Sequence, residues 1–432
     1  MQNRVASCRV TGWDGPLEHL QSALGIIVII AAAWAMSEDR RAFRWRMAAG
    51  TLVLQAAIAL LLLKVPVARD ALYGLNGVVT ALTAATQAGT SFIFGYMGGG
   101  PAPFAVTNPG AMINLAFSIL PLIMVVGALS AILWYWRILP AIVHGMAVVL
   151  RRTLGLGGAV TLSSAAMVFL GNIEGQLVIR PYLARLTRTE LFVLMTVGLS
   201  VIAGSVFVLY ATILADVLPG ALGHLLVASM MSLPAGILIA RIMVPGPADT
   251  DVTVREGTVQ YRSTMDAMAQ GTEDGLKIYL QILAMLIVTT ALVALANVVL
   301  GVLPDVAGAP LTLERMLGWL FAPLVWLLGV PWEQAATAGG LLGVKVILNE
   351  LVAYLRMAAL PAGSLDPRAA MITVYAMCGF ANFASVGILI AGMSALIPER
   401  RGEVVALSLR ALVAGVMASG LSGAMVGLLP LG

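Results

Sequence analysis

Charge is scarce in this chain. Asp, Glu, Lys and Arg make up 11% of its 432 residues, against roughly 25% in soluble domains. With hydrophobic residues at 60%, an ordinary soluble globular protein is excluded. There are two cysteines, Cys8 and Cys378. They lie far apart and Cys378 sits in an apolar run, so no structural disulfide is expected. His19, His144 and His224 are scattered and form no ligand cluster. No Walker A, HExxH, CxxC or GxSxG sequence occurs. The chain therefore offers no nucleotide-hydrolysing motor and no recognised hydrolase centre, and neither a cofactor nor a metal is expected. The opening residues hold no apolar run followed by a small-residue cleavage site, so no signal peptide is expected. The net charge of +4 comes from arginines placed between hydrophobic runs, not from one basic patch. That argues against a nucleic acid partner and for cytoplasmic loops in a lipid bilayer.

What the chain has in abundance is runs of about 20 apolar residues, each enough to cross a bilayer. Residues 22–36 and 47–63 are the first two. Arg40, Arg41, Arg44 and Arg46 lie between them, which places that loop in the cytoplasm and the N-terminus outside. Residues 65–110 contain Arg69, Asp70, Asn76 and Gln87, then a Gly/Pro cluster at 98–103. They read as helices on the membrane surface followed by an irregular loop. Residues 111–134 are the third span, and 138–150 a surface helix flanked by Arg137, Arg151 and Arg152. Spans at 191–217, 222–243, 276–303, 369–397 and 404–429 bring the total to about eight, with another surface helix at 311–330 and both termini outside the cytoplasm.

Two segments do not fit this pattern. LLGVKVILNELVAYLRM (341–357) carries Lys345, Asn349, Glu350 and Arg356, and FLGNIEGQLVIRPYL (169–183) carries Asn172, Glu174 and Arg180. A charge at membrane depth costs at least ~2.5–3.5 kcal/mol, and is accepted where it faces a cavity, a partner or a substrate. Residues 157–181 begin and end on the arginine-rich side, so they form a re-entrant hairpin with its tip near 172–175; irregular backbone at that depth has to be buried in protein or face water. The second segment reads as a hairpin entering from the opposite side. Each is followed by a span broken at a Gly/Ser-rich stretch (202–205 and 379–385) and then by one more span. The fold class expected is an all-α polytopic membrane protein with two opposed re-entrant hairpins, broken helices and an inverted repeat, the pattern of a secondary transporter with a midplane site. The division expected is 1–155 for N-terminal scaffold spans and surface helices, 156–243 for the first hairpin repeat, 244–272 for a cytoplasmic linker, 273–335 for a scaffold span and surface helix, and 336–432 for the second hairpin repeat. Arg356 and Arg368 fall on the outer side and depart from the charge rule. Plainer roles stay open: Glu350 could pair with Lys345 or Arg356, Asn382 and Ser385 could bind helices together, and Glu174 could bond only free backbone amides. Lys345 reads as structural, and the methionines as packing.

At GFANFASVGILIAGMSALIPERR (379–401) the chain resembles the concentrative nucleoside transporters, which carry GFANFSSIGI followed by a PERR-like loop. LLGVKVILNELVAYL is similar to the family's LIGTKLVLNEFVAYL. AGTSFIFG, NLAFSILPLIMVVGALSAILWYW, IRPYLARLTRTELFVLMT and EDGLKIYLQILAMLI match in family order over nearly the whole chain. The resemblance implies a homotrimer in the plasma (inner) membrane. Each protomer would have a scaffold domain and an elevator-like transport domain, with substrate between the hairpin tips. It places the ribose-binding Glu at Glu350, and the Phe, Asn and Ser of the broken helix at Phe380, Asn382 and Ser385. The family's first tip, G-Q-T-E-A-P, reads here Gly171, Asn172, Ile173, Glu174, Gly175, Gln176. Asn172, Ile173 and Glu174 are thus the candidate base contacts, with a shorter amide and a lost hydroxyl. The family's two sodium-binding side chains fall at Met167 and Val201, which offer no oxygen, leaving carbonyls at Leu170, Val201 and Ile202. A hard cation needs oxygen ligands, so the coupling ion expected is a proton rather than sodium. Glu174 would carry it, in a tip expected to be buried, because burial disfavours a carboxylate's charged form. The expected function is import of nucleosides by cation symport. The alternatives are a transport-dead receptor or scaffold, a transporter of a related non-nucleoside solute, and an intramembrane enzyme using Glu174 and Glu350 as paired carboxylates.

Overall fold

The structure, a computed structural model, describes residues 16–107, 114–247, 261–306 and 308–430. Cys8 and most of the expected linker lie outside the described residues. Among those described there is no strand beyond an isolated bridge between Val306 and Ala309.

Helices α1 (Pro16–Ala35) and α2 (Trp45–Lys64) fall on the first two expected spans. The stretch expected as surface helices is one helix, α3 (Pro66–Phe94), opened by a proline in its first turn, where the missing N–H costs nothing. By length and composition its 77–98 portion could itself cross a membrane. The irregular chain expected near 98–103 follows it. A π-turn at Leu115–Ile119 leads into α4 (Leu122–Tyr135). Helix α5 (Ile138–Leu154) buries Leu139, Val143, Ala147, Leu150 and Leu154 along one stripe, as a helix resting on a surface does.

The first hairpin is α6 (Gly158–Leu170) with α7 (Asn172–Leu177) and the short α8 (Arg180–Leu183). Helix α9 (Arg188–Ser200) starts with a reciprocal cap between Thr187 and Glu190, breaks at 201–203, and resumes as α10 (Gly204–Ile213). Helices α11 (Ala221–Met243) and α12 (Thr264–Leu300) follow. Next come α13 (Leu313–Leu328) and the second hairpin, α14 (Trp332–Ile347) and α15 (Glu350–Ala358). This hairpin begins at Trp332, earlier than the charged stretch alone indicated. A second broken span, α16 (Pro367–Met377) and α17 (Phe383–Leu396), and a long α18 (Arg401–Leu428) complete the chain. Hairpin, broken span and further span thus recur in the same order in both halves.

Helices α9 and α11 are buried along almost their whole length and, with α16 and α18, form the core. Helices α1 and α2 pack on α18 and α11, so they join this body although the N-terminal 155 residues read as one scaffold unit. Helix α12 pairs instead with α4. Their backbones meet at glycines: a Cβ on Gly127 would stand 2.7 Å from the Gly271 carbonyl oxygen. Small residues permit such close crossings in membranes.

The two arginines that departed from the charge rule have local partners. Arg356 pairs with Glu314 at 2.8 Å. Arg368 is buried and donates to the carbonyls of Gly329 and Gly427, both at 2.7 Å, at the ends of α13 and α18. At the other end of the molecule, Glu38 after α1 accepts hydrogen bonds from Arg188 at the start of α9 and from Arg410 of α18. The hydrogen bond from Arg188 leads in holding the Glu38 carboxyl below its ordinary range.

Candidate functional site

The first hairpin turns at Gly171, whose φ of +114° is rarely open to other residues. A Cβ there would also stand 2.8 Å from Glu174 Oε2. Asn172 is buried against Gly198 of α9, and its Oδ1 accepts a hydrogen bond from Gln176 Nε2 at 3.0 Å. Ile173 packs on Gly392 of α17, where a side chain would collide with it. Glu174 departs from expectation: its side chain is exposed rather than buried. Protein surrounds it, but its carboxylate opens to the cavity while turning back toward the amides of Ile173 and Glu174 itself.

The second tip is built differently. Asn349 caps α15 by accepting from the Val352 N–H at 2.9 Å. Glu350 follows it, only 4% exposed. Tyr210 of α10 donates its hydroxyl to Glu350 Oε1 at 2.7 Å, and Asn382 Nδ2 donates to Oε2 at 3.0 Å. The other end of the same amide, Asn382 Oδ1, accepts from the Ser385 N–H at 2.7 Å and caps α17. One asparagine thus starts a half-helix and holds the carboxylate. Lys345 is fully buried, and its Nζ has no hydrogen-bond partner among the described residues. It lies close enough to Glu350 for their charges to interact, which is how a buried carboxylate and ammonium tolerate lost hydration. Arg356, engaged with Glu314, is not the partner of Glu350.

The two helix breaks touch. The Phe380 N–H donates to the Val201 carbonyl at 3.3 Å. Ser229 Oγ lies 3.5 Å from the Ile202 carbonyl oxygen and accepts the Ile202 N–H at 3.3 Å. Met167 and Val201, the positions matched to sodium ligands, are at most 1% exposed. Met167 packs over Gly175.

These elements enclose a cavity of about 200 Å³. Asn172, Ile173 and Glu174 line it from the first hairpin, Glu350 from the second, and Phe380, Asn382 and Ser385 from the second break. All seven sequence candidates thus share one space. Sequence reasoning missed Tyr210, Ser205 and Gln281, which also line it. Tyr210 and Gln281 sit in runs that read as plain spans, where a single polar residue gives no period and no motif.

Residues 224–427 and 24–97 match the family models described as Na+ dependent nucleoside transporter C-terminus and N-terminus, and residues 116–217 match a nucleoside recognition model. The nucleoside permease NupC of Helicobacter pylori is 33% identical over 95% of this chain and 97% of its own length. The chain belongs to the concentrative nucleoside transporter family. An uncharacterised transporter of Bacillus subtilis, YutK, is 35% identical over 95% of this chain and 99% of its own. The solved structure of CNTnw in an inward-facing substrate-bound state superposes with a TM-score of 0.85 at 36% identity, covering 95% of this chain and 98% of that one. An outward-facing variant of CNTnw gives 0.84 at 35% identity, covering 95% and 97%. Members of this family are multi-pass membrane transporters, not enzymes, so the reading of Glu174 and Glu350 as paired catalytic carboxylates falls away.

Proposed function

We propose that this chain imports nucleosides across the plasma membrane as a homotrimeric, proton-coupled symporter, by elevator-like movement of the hairpin body against α4 and α12. The observation that carries the substrate reading is the Glu350 carboxylate, braced by Tyr210 and Asn382 on the cavity wall. Ribose hydroxyls are donors, and a fixed carboxylate at low dielectric is a strong acceptor for them. Phe380 supplies an apolar face, and Ser385 a hydroxyl, beside it. The first-tip residues Asn172, Ile173 and Glu174 would then face the base.

The family models carry the words Na+ dependent, yet the donor set here suits a sodium ion poorly. Met167 and Val201 bring no side-chain oxygen. The Val201 and Ile202 carbonyls already have donors in Phe380 and Ser229. Glu174 remains the proposed proton carrier on different grounds from burial. An exposed carboxylate exchanges protons with the solution filling the cavity, and a substrate that displaces that water disfavours its charged form. The test is uptake of labelled uridine or adenosine into proteoliposomes, with sodium and pH gradients imposed separately. Accumulation is expected to follow an inward proton gradient and to ignore sodium. Accumulation that requires sodium would refute the ion assignment, and failure to take up or bind any nucleoside would refute the substrate assignment.

A further inference from the structure

The polar groups on the cavity wall divide into those already bonded inside the protein and those still open. Glu350 accepts from Tyr210 and Asn382, and Asn382 is used at both ends of its amide. Asn172 holds Gln176, and Asn349 caps α15. Glu174 is turned to its own hairpin's amides. The Ser385 hydroxyl faces the cavity beside Glu350 and Asn382, and Ser205 and Gln281 lie apart from this ribose-side group. The Ser205 hydroxyl, on a residue 8% exposed, has no hydrogen-bond partner among the described residues. Gln281 is exposed on the facing wall, and among the described residues no group is hydrogen-bonded to its side-chain amide. Its neighbours on that wall, Ile278, Ile282 and Met285, are apolar.

We infer that Gln281 of α12 is a specificity-determining residue that reads the hydrogen-bonding edge of the nucleobase. The inference rests on the nucleoside reading above. With ribose held at Glu350 and Asn382, the base lies toward the first tip and α12. The first tip covers only part of that edge: Ile173 has no polar atom, the Asn172 amide oxygen already accepts from Gln176 and leaves only its NH2, and the Glu174 carboxylate turns back toward its own amides. A glutamine amide presents one donor group and one acceptor side by side, the arrangement that pairs with adjacent donor and acceptor positions on a base edge. The unsatisfied Ser205 hydroxyl on the hairpin side shows that the same space holds polar capacity that no protein group uses. Because Gln281 belongs to the α4–α12 pair rather than to the hairpin body, base reading and ribose holding come from different parts of the molecule.

The experiment uses the full chain in proteoliposomes, with uridine, cytidine, adenosine and guanosine competing against one labelled nucleoside, and with 2′- and 3′-deoxyuridine as ribose controls. In Gln281→Leu the spread between the best and worst competing base is expected to shrink by about five- to tenfold, the worth of one or two neutral hydrogen bonds. The penalty for each missing ribose hydroxyl should be unchanged. Gln281→Glu, which keeps the size but only accepts, should shift preference toward bases that present an exocyclic amine. Unchanged base ranking and spread in both variants would overturn the inference while leaving nucleoside transport standing. If the parent chain neither binds nor moves any nucleoside, the reading it rests on fails and the inference with it.

Discussion

The two hairpins are made alike and finished differently. The second places Glu350 under cover and ties it across the molecule, to Tyr210 in the other repeat and to Asn382 at the neighbouring break. The first keeps its polar groups at home: Asn172 bonds to Gln176 one turn away, and Glu174 faces its own amides and the open cavity. A cross-braced carboxylate has one geometry and suits a part common to every substrate, such as the sugar. A self-contained tip with an exposed acid imposes little on what lies beside it and suits the variable part. The difference also separates a carboxylate buried near Lys345 from one that opens to the cavity.

Breaking the braced tip should have the largest effect. Glu350→Gln replaces a charged acceptor with an amide and sets an NH2 group against a donor. Hydrogen bonds to charged groups are worth about 1.5–3 kcal/mol each, so labelled-nucleoside uptake should fall by roughly a hundredfold or more while the protein still elutes as a folded oligomer. Near-normal uptake would remove the ribose assignment. Asn382→Ala comes next, since it loses both the Glu350 donor and the cap of α17. A cap contributes about 1 kcal/mol, so a measurable drop in melting temperature should accompany the loss of transport. Asn382→Asp keeps the cap and should recover the stability more than the transport, because it sets a second carboxylate against Glu350.

Tyr210→Phe removes one of two braces, and uptake should fall by about ten- to a hundredfold, with competition among bases unaltered. On the other side of the comparison, Met167→Leu should change uptake by less than about twofold, as conservative apolar swaps do. A severe loss there would mean the position still serves an ion. The smallest effect is expected outside the membrane, at Glu38→Gln. The Glu38 carboxyl lies below its ordinary value of 4.5 when folded. Its contribution is therefore complete above that value and fades as pH falls through the folded one. The variant should melt about 2 °C lower or less near neutral pH, as befits a half-exposed pair, and no lower than the parent in acid. A difference that persists in acid would show that something other than charge is lost.

Much of this layout was legible because the membrane penalises every exception. Lys345, Glu350 and the GNIEG interruption stand out against apolar surroundings, and each marked a hairpin tip. GFANFAS marked the second break, where Asn382 caps the resumed helix. What stayed hidden was partnership. Nothing in the order of residues says that Tyr210 reaches Glu350 from 140 positions away, or that Arg368 closes the carbonyl ends of two helices. The exposure of Glu174 was misjudged for the same reason. A tip at membrane depth reads as buried, and only the packing of the facing walls reveals a cavity there. The packing of α1 and α2 on α18 and α11 is likewise a matter of space that chain order does not carry.

The hydrogen bond from the Phe380 amide to the Val201 carbonyl turns two gaps into one part. Each break by itself would be a swivel, with half-helices free to tilt independently. Stitched backbone to backbone, neither can tilt without carrying the other. Among substitutions at Phe380 only proline deletes the stitch, because it uses main-chain atoms alone. The two like halves are thus joined main chain to main chain at the very points where their helices are interrupted.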